Sequence, residues 1–229
     1  MKRERDAAPH ERIVAAAAAV FASRGFEGAR IDEIAERAGA NKAMLYYHVG
    51  DKEDLYSAVL VESIDRALLL LRGATARASS PAGKLEAVLD TLATFGSSNP
   101  EFIPIIMREV AGGGRNLPDA LFARLGSVFR VVSDALAEGV AAGAFRATDP
   151  LLTHVTLVGA LMYLRASAPI RERVARMAGL PVSDHTPRDL ARLVGDLFLH
   201  GLEARPPAPP AKRARRAKPR SSKRIGGSR

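Results

Sequence analysis

Residues 25–55 read GFEGARIDEIAERAGANKAMLYYHVGDKEDL, and this stretch decides the fold. Ile34, Ala35 and Ala38 form the inner stripe of a short helix over residues 31–38, and Gly39 supplies the left-handed residue that stops it. Asn41, a good N-cap, opens a second short helix that runs from Lys42 to His48 and ends near Gly50. Asp51, with Asp54 three residues on, starts a longer helix through an imperfect capping box. Two short helices joined by a tight glycine turn, both resting on longer helices, have the layout of a helix-turn-helix whose second helix enters a DNA major groove.

Outward from this stretch, helix signals repeat and strand signals do not. Upstream, Ile13, Ala16, Ala17, Val20 and Phe21 recur at helical spacing between Pro9 and Gly25. Downstream, Tyr56, Val59, Leu60, Ile64, Ala67 and Leu71 carry the longer helix on one face. Ser80-Pro81 opens a helix to about Phe95, Pro100 one that ends at Gly112-Gly113-Gly114, and Pro118 a long one through Ala142. After Asp149-Pro150, residues 151–166 are apolar nearly all round, with Gly159 and Ala160 permitting close approach, so this helix is expected to be buried on several sides. Thr186-Pro187-Arg188-Asp189 starts a last helix with Leu190, Leu193, Val194, Leu197 and Phe198 on one stripe. The expected fold is all-α: a three-helix helix-turn-helix domain followed by a larger helical domain. The two late apolar helices imply a homodimer built on a helix–helix interface. The expected boundaries are an extension over 1–9, a DNA-binding domain over 10–55, a connecting helix over 56–75, a helical domain over 76–204 and a basic tail over 205–229.

Charge and composition narrow the function. Of the 229 residues 47% are hydrophobic and 26% charged, which fits a soluble globular protein, and the absence of cysteine removes disulfides, thiolate zinc sites and cysteine nucleophiles. The net charge of +9 lies in the tail: RPPAPPAKRARRAKPRSSKRIGGSR holds ten Lys or Arg and no acid, leaving the rest nearly neutral. That composition cannot repay the entropy of ordering and is expected to be disordered, either as a solubilising extension or as a polycation attracting nucleic acid independently of sequence. MKRERDAAPHER leads into no signal-type apolar core, and the uncharged stretch from Pro150 to Leu164 is shorter than the roughly 20 residues that cross a bilayer. A cytoplasmic protein without a membrane span is expected. The five histidines, at 10, 48, 154, 185 and 200, show no metal-ligand spacing, and the triple glycine reads as a helix break rather than a phosphate loop. No cofactor, metal site or catalytic group is expected.

The residues themselves resemble the N-terminal DNA-binding domain of TetR-family transcriptional regulators. Phe21-Ala22 and Gly25-Phe26 match the end of that family's first helix, and Ile34-Ala35 with Ala38-Gly39 match its second helix and turn. Leu45-Tyr46-Tyr47-His48-Val49 matches its aromatic recognition helix, and Lys52-Glu53-Asp54-Leu55 the opening of its fourth. The match covers about residues 10–60; beyond about residue 75 it is architectural only. Four departures stand out. Ala29 occupies a position where Thr is common and would cap the second helix, so that cap is lost or moves. Asn41 replaces a frequent Ser, Ala43 a frequent Gly, and Val49 a commoner Phe.

Tyr46, His48 and Lys52 offer polar or cationic tips suited to phosphate oxygens, and these resemble the family's phosphate contacts. The alternative is that Tyr46 and His48 plug the small domain's core while Lys52 is solvated. Lys42, Met44 and Tyr47 lie on the helix's other side for base edges or thymine methyls, Asn41 stands at its start, and Arg30 reaches from the second helix or is an ordinary surface charge. In the larger domain Phe95, Phe102, Ile106, Met107, Phe122, Phe129, Met162 and Tyr163 are candidates to line an effector pocket, or are core. His154 is either a hydrogen-bonded core histidine or a polar handle for a ligand or the dimer partner, and Arg108 or Glu109 is expected at a pocket mouth.

The resemblance implies a homodimeric DNA-binding regulator on double-stranded DNA. A ligand-responsive repressor of a pseudo-palindromic operator, with an unidentified small-molecule effector and no membrane partner, is the expected reading. Its rival is a DNA-bound structural or interaction protein of the same fold that takes no inducer and uses its tail for non-specific binding.

Overall fold

The computed structural model describes residues 9–182 and 184–203. The expectations for the basic tail and for most of the N-terminal extension lie outside these residues. Within them the regular structure is ten α-helices, with one isolated bridge between Phe145 and Glu203.

The first four helices build the small N-terminal unit. In α1 (Pro9–Gly28) the regular helix breaks where expected, at Gly25, whose φ of 72° and ψ of 176° are non-helical, and one further short turn follows to Gly28. The extra turn brings Phe26 to 4.9 Å from Tyr56, while Phe21 packs edge-on to Tyr56 at 4.8 Å. α2 (Ile31–Ala38) ends at left-handed Gly39, whose φ of 62° costs a residue without Cβ little. At its start Arg30 is the N-cap residue and makes no side-chain cap bond, so the cap that Ala29 cannot supply is lost rather than moved. α3 (Lys42–His48) is capped as expected, the Asn41 side chain accepting from the Met44 N–H at 2.8 Å. In α4 (Lys52–Thr75) Asp51 and Asp54 complete both arms of the capping box. Ile13, Ala17, Val20, Phe21, Ile34, Leu45, Leu55 and Leu60 are fully buried and form the core of this unit.

α4 continues into the larger domain, where α5 (Pro81–Ser98) lies at the centre and touches α4, α7 (Asp119–Ala141), α8 (Pro150–Ala166) and α10 (Pro187–Leu202). Local chemistry again sets the starts: Ser80, Asp149 and Thr186 accept from the N–H groups of Gly83, Leu152 and Asp189. α6 (Phe102–Ala111) begins two residues after Pro100, since Asn99 to Glu101 first form a turn. Arg124 grips Asp65 through Nε at 3.0 Å, and Lys84 pairs with Glu138; these tie α7 to α4 and α5. Phe145 packs on Gly139, and the Arg146 N–H donates to the Leu202 carbonyl at 2.9 Å, closing the α7–α8 loop over the end of α10.

Two sequence expectations need correction. α9 (Ala168–Met177) was not anticipated: it has no side-chain cap and buries none of its residues. α8 is not buried on several sides within one chain. Only Leu157 and Leu161 are fully covered, whereas Leu151, Leu152, Val155 and Tyr163 are exposed, and so are Leu193 and Leu197 of the neighbouring α10. Among the described residues no single helix is long and apolar enough to cross a membrane, and no three His, Asp or Glu stand together to hold a metal ion.

Candidate nucleic-acid interface

α3 has two turns, and its only fully buried side chain is Leu45. Helical geometry therefore turns Lys42, Ala43, Tyr46 and Tyr47 outward. Tyr47 is 85% exposed, an unusual position for a large aromatic that has no packing role in the folded chain. Tyr46 is also exposed, so it does not plug the core; His48 is half-buried, with the Tyr47 ring edge-on at 5.1 Å.

The candidate residues are braced from behind. Lys42 Nζ meets Asp32 at 2.7 Å, bridging α3 to α2, and this bond holds the ammonium pKa above its ordinary value. Asn41 uses its carbonyl oxygen for the cap, and Met44 is half-buried. Arg30 is exposed at the start of α2. Lys52 donates to the Glu27 carbonyl at 3.3 Å and lies 4.7 Å over the Phe26 ring, so it is tied to the end of α1 rather than fully solvated.

A contact absent from the sequence reading holds the C-terminal end of α3. The two ring nitrogens of His10 face Glu62 Oε1 at 2.7 Å and the His48 carbonyl at 3.4 Å. Both partners are acceptors, so the doubly protonated ring satisfies both. The bond to Glu62 is the main cause that raises the His10 pKa above 6.5. Folding then favours the protonated form, and this stabilisation is present below the unfolded value and lost as pH rises through the raised one. Thermal unfolding of His10→Ala should show a deficit against the wild type at about pH 6 that closes by about pH 9. A constant deficit would refute the assignment.

Arg108 and Glu109 do not form a pocket mouth. They join the helical domain to the DNA-binding unit. Arg108 donates to the Ser23 carbonyl of α1 at 3.1 Å. Glu109, 5% exposed, accepts from the Tyr56 hydroxyl at 2.8 Å, the Asn116 side-chain amide at 3.0 Å and the Asn116 N–H at 3.2 Å. Burial, and then the bond to Glu109, push the Tyr56 pKa far up, so its hydroxyl stays a donor.

The candidate pocket residues lie on α5, α6, α7 and α8. Phe95 is buried edge-on to Phe102 at 5.8 Å, and Phe129 meets His154 at 5.6 Å. Ile106, Met107 and Met162 are half-buried; Phe122 and Tyr163 are exposed. His154 Nδ1 is buried without a hydrogen-bond partner among the described residues, and desolvation lowers the pKa of the ring.

Residues 13–59 match the family described as bacterial regulatory proteins, tetR family, and residues 81–188 match the tetracyclin repressor-like C-terminal domain. The chain is 30% identical over 205 residues to the HTH-type transcriptional repressor NicS of Pseudomonas putida, covering 84% of this chain and 91% of that protein. The fatty acid degradation regulator FadR from Bacillus halodurans has the same fold, with a TM-score of 0.71 at 20% identity over 87% of this chain and 99% of that one. FadR from Bacillus subtilis, solved in complex with stearoyl-CoA, gives a TM-score of 0.69 at 16% identity over 84% and 99%.

Proposed function

The chain belongs to the TetR family of bacterial transcriptional regulators, and from that premise we propose that it is a ligand-responsive repressor that binds a pseudo-palindromic operator as a homodimer. The observation that carries this reading is the outward face of α3, where Tyr47 is 85% exposed beside Lys42 and Tyr46 on a helix braced by α1 and α2. Tyr47, Lys42 and Met44 read base edges; Tyr46, His48, Asn41, Arg30 and Lys52 hold phosphates and set the register. Two copies place two such helices in successive major grooves, and repression follows from occupying the site that polymerase needs. The helical domain takes the effector. That the similarly folded FadR of Bacillus subtilis holds stearoyl-CoA supports a small-molecule effector here. Its binding shifts α4, which packs on the α1 that braces α3, and the size of the shift is limited by the effector's differential affinity for the two states.

The test is selection of random DNA by the full-length chain, followed by titration on the enriched sequence. An enriched inverted repeat is expected; enrichment of no site would overturn the reading. On that repeat Tyr47→Ala should weaken binding by about ten- to a hundredfold and relax the preference at one position. Tyr46→Ala should weaken binding to all sequences alike, and a loss confined to one base would refute its phosphate role.

A further inference from the structure

A cleft of about 1060 Å³ opens where the DNA-binding unit meets the helical domain, between α1, the end of α2, α4 and α6. Of the nine candidate pocket residues only Phe102 reaches it, so it is separate from the helical domain's interior. We propose that this cleft is a binding site for a small organic carboxylate with a flat apolar body.

Three features of the cleft support this. First, the half-buried Arg12 lines it, and its Nε has no hydrogen-bond partner among the described residues. The other N–H groups of this guanidinium, on a side chain that lines the cleft, are the donors that a bound group would meet. A guanidinium presents its N–H groups in a planar fork that matches a carboxylate with two parallel bonds. Second, the charges favour an anion beside Arg12. Arg12 and Arg37 take part in no ion pair among the described residues, whereas the cleft's Glu62 is already held by His10 at 2.7 Å and by Arg66 at 4.0 Å. Two further acids line the cleft: Glu11, which is exposed, and Glu101, which is half-buried. Third, the α1 wall is Ala15, Ala18 and Ala19, whose methyl groups leave a smooth surface, with the Phe102 ring also on the lining. A planar apolar body fits against such a wall with its carboxylate on Arg12.

A molecule seated there touches both units at once. It lies beside the same α1 and α6 that Arg108 joins through the Ser23 carbonyl, so it bears on how the DNA-binding unit is held. That consequence rests on the proposed regulatory function; the binding itself does not, and its test needs no DNA.

The experiment is calorimetric titration of the full-length protein with 2-naphthoate and, separately, with neutral 2-naphthylmethanol. Binding of 2-naphthoate is expected, at least roughly tenfold tighter than that of the alcohol, as a charge-assisted pair requires. Arg12→Gln should weaken it by roughly tenfold or more, with Arg12→Lys intermediate because an ammonium lacks the planar fork. Ala19→Leu, which fills the cleft from a half-buried position, should abolish it, while Ile170→Ala on the exposed α9 leaves it unchanged. No binding, equal affinity for acid and alcohol, or binding indifferent to both Arg12→Gln and Ala19→Leu would overturn the proposal. Unfolding curves of each variant separate loss of the site from loss of the fold.

Discussion

Val155→Asp should leave each chain folded, render it monomeric, and reduce affinity for the operator by about a hundredfold or more. Val155 stands on the outward face of α8 with Leu152, 65% exposed, and Tyr163; Leu193 and Leu197 of α10, the latter 69% exposed, extend the same two-helix surface. Added Cβ atoms at Gly159 and Gly201 meet nothing within 4 Å, so a second pair of helices can approach closely there. In one chain this face is open to water, and a polar substitution on an exposed site changes its stability by no more than about 0.5 kcal/mol. In a dimer the same carboxylate is buried without a partner, at about 3–5 kcal/mol, which is roughly two to three and a half decades in the association constant. Operator binding then falls because the second recognition helix is no longer delivered by the first. Light scattering at micromolar concentration and a DNA titration check both halves. A dimer mass for Val155→Asp would remove α8 from the interface.

The same face shows where sequence reading succeeded and where it stopped. The ends of α2 and α3 fall where Gly39, Asn41 and Asp51 put them, because a cap is a contact between residues two to four apart. The sequence of α8 is apolar nearly all round and implies a second chain, but only the packing on α5, α7 and α10 shows which of its residues stay open: Leu151, Leu152, Val155 and Tyr163. α9 was missed for a related reason: APIRERVARM has exposed Ile170, Val174 and Met177, no cap bond and nothing buried. In the candidate interface the outward residues of α3 were legible, since a two-turn helix with Leu45 inside leaves little choice. The contacts that hold that helix were not. His10 meets Glu62 across 52 residues and Tyr56 meets Glu109 across 53, and no local pattern marks a glutamate on a helix as buried.

Glu109→Leu should therefore be the most damaging single change outside the apolar core, lowering the thermal midpoint by on the order of 10 °C. The carboxylate accepts three hydrogen bonds in a buried site, and its removal strands the Tyr56 hydroxyl and the Asn116 amide, each at about 1–3 kcal/mol. Tyr56→Phe should cost less, since Glu109 keeps both bonds from Asn116 while Phe at position 56 keeps the packing on Phe21 and Phe26. If hydroxyl and carboxylate act as a pair, the double variant is less damaging than the sum by about 1–3 kcal/mol, measured as a cycle in urea. Additive losses would mean that the two sites do not communicate. The pair also bears on regulation, because Tyr56 belongs to the helix that carries α3 and Glu109 to the helix that Arg108 fastens to α1. Tyr56→Phe weakens one of these two fastenings without removing a core side chain. In that variant DNA affinity without effector should change less than the response to effector does, since a ligand that moves α6 can pull on the DNA-binding unit only through the contacts that join them.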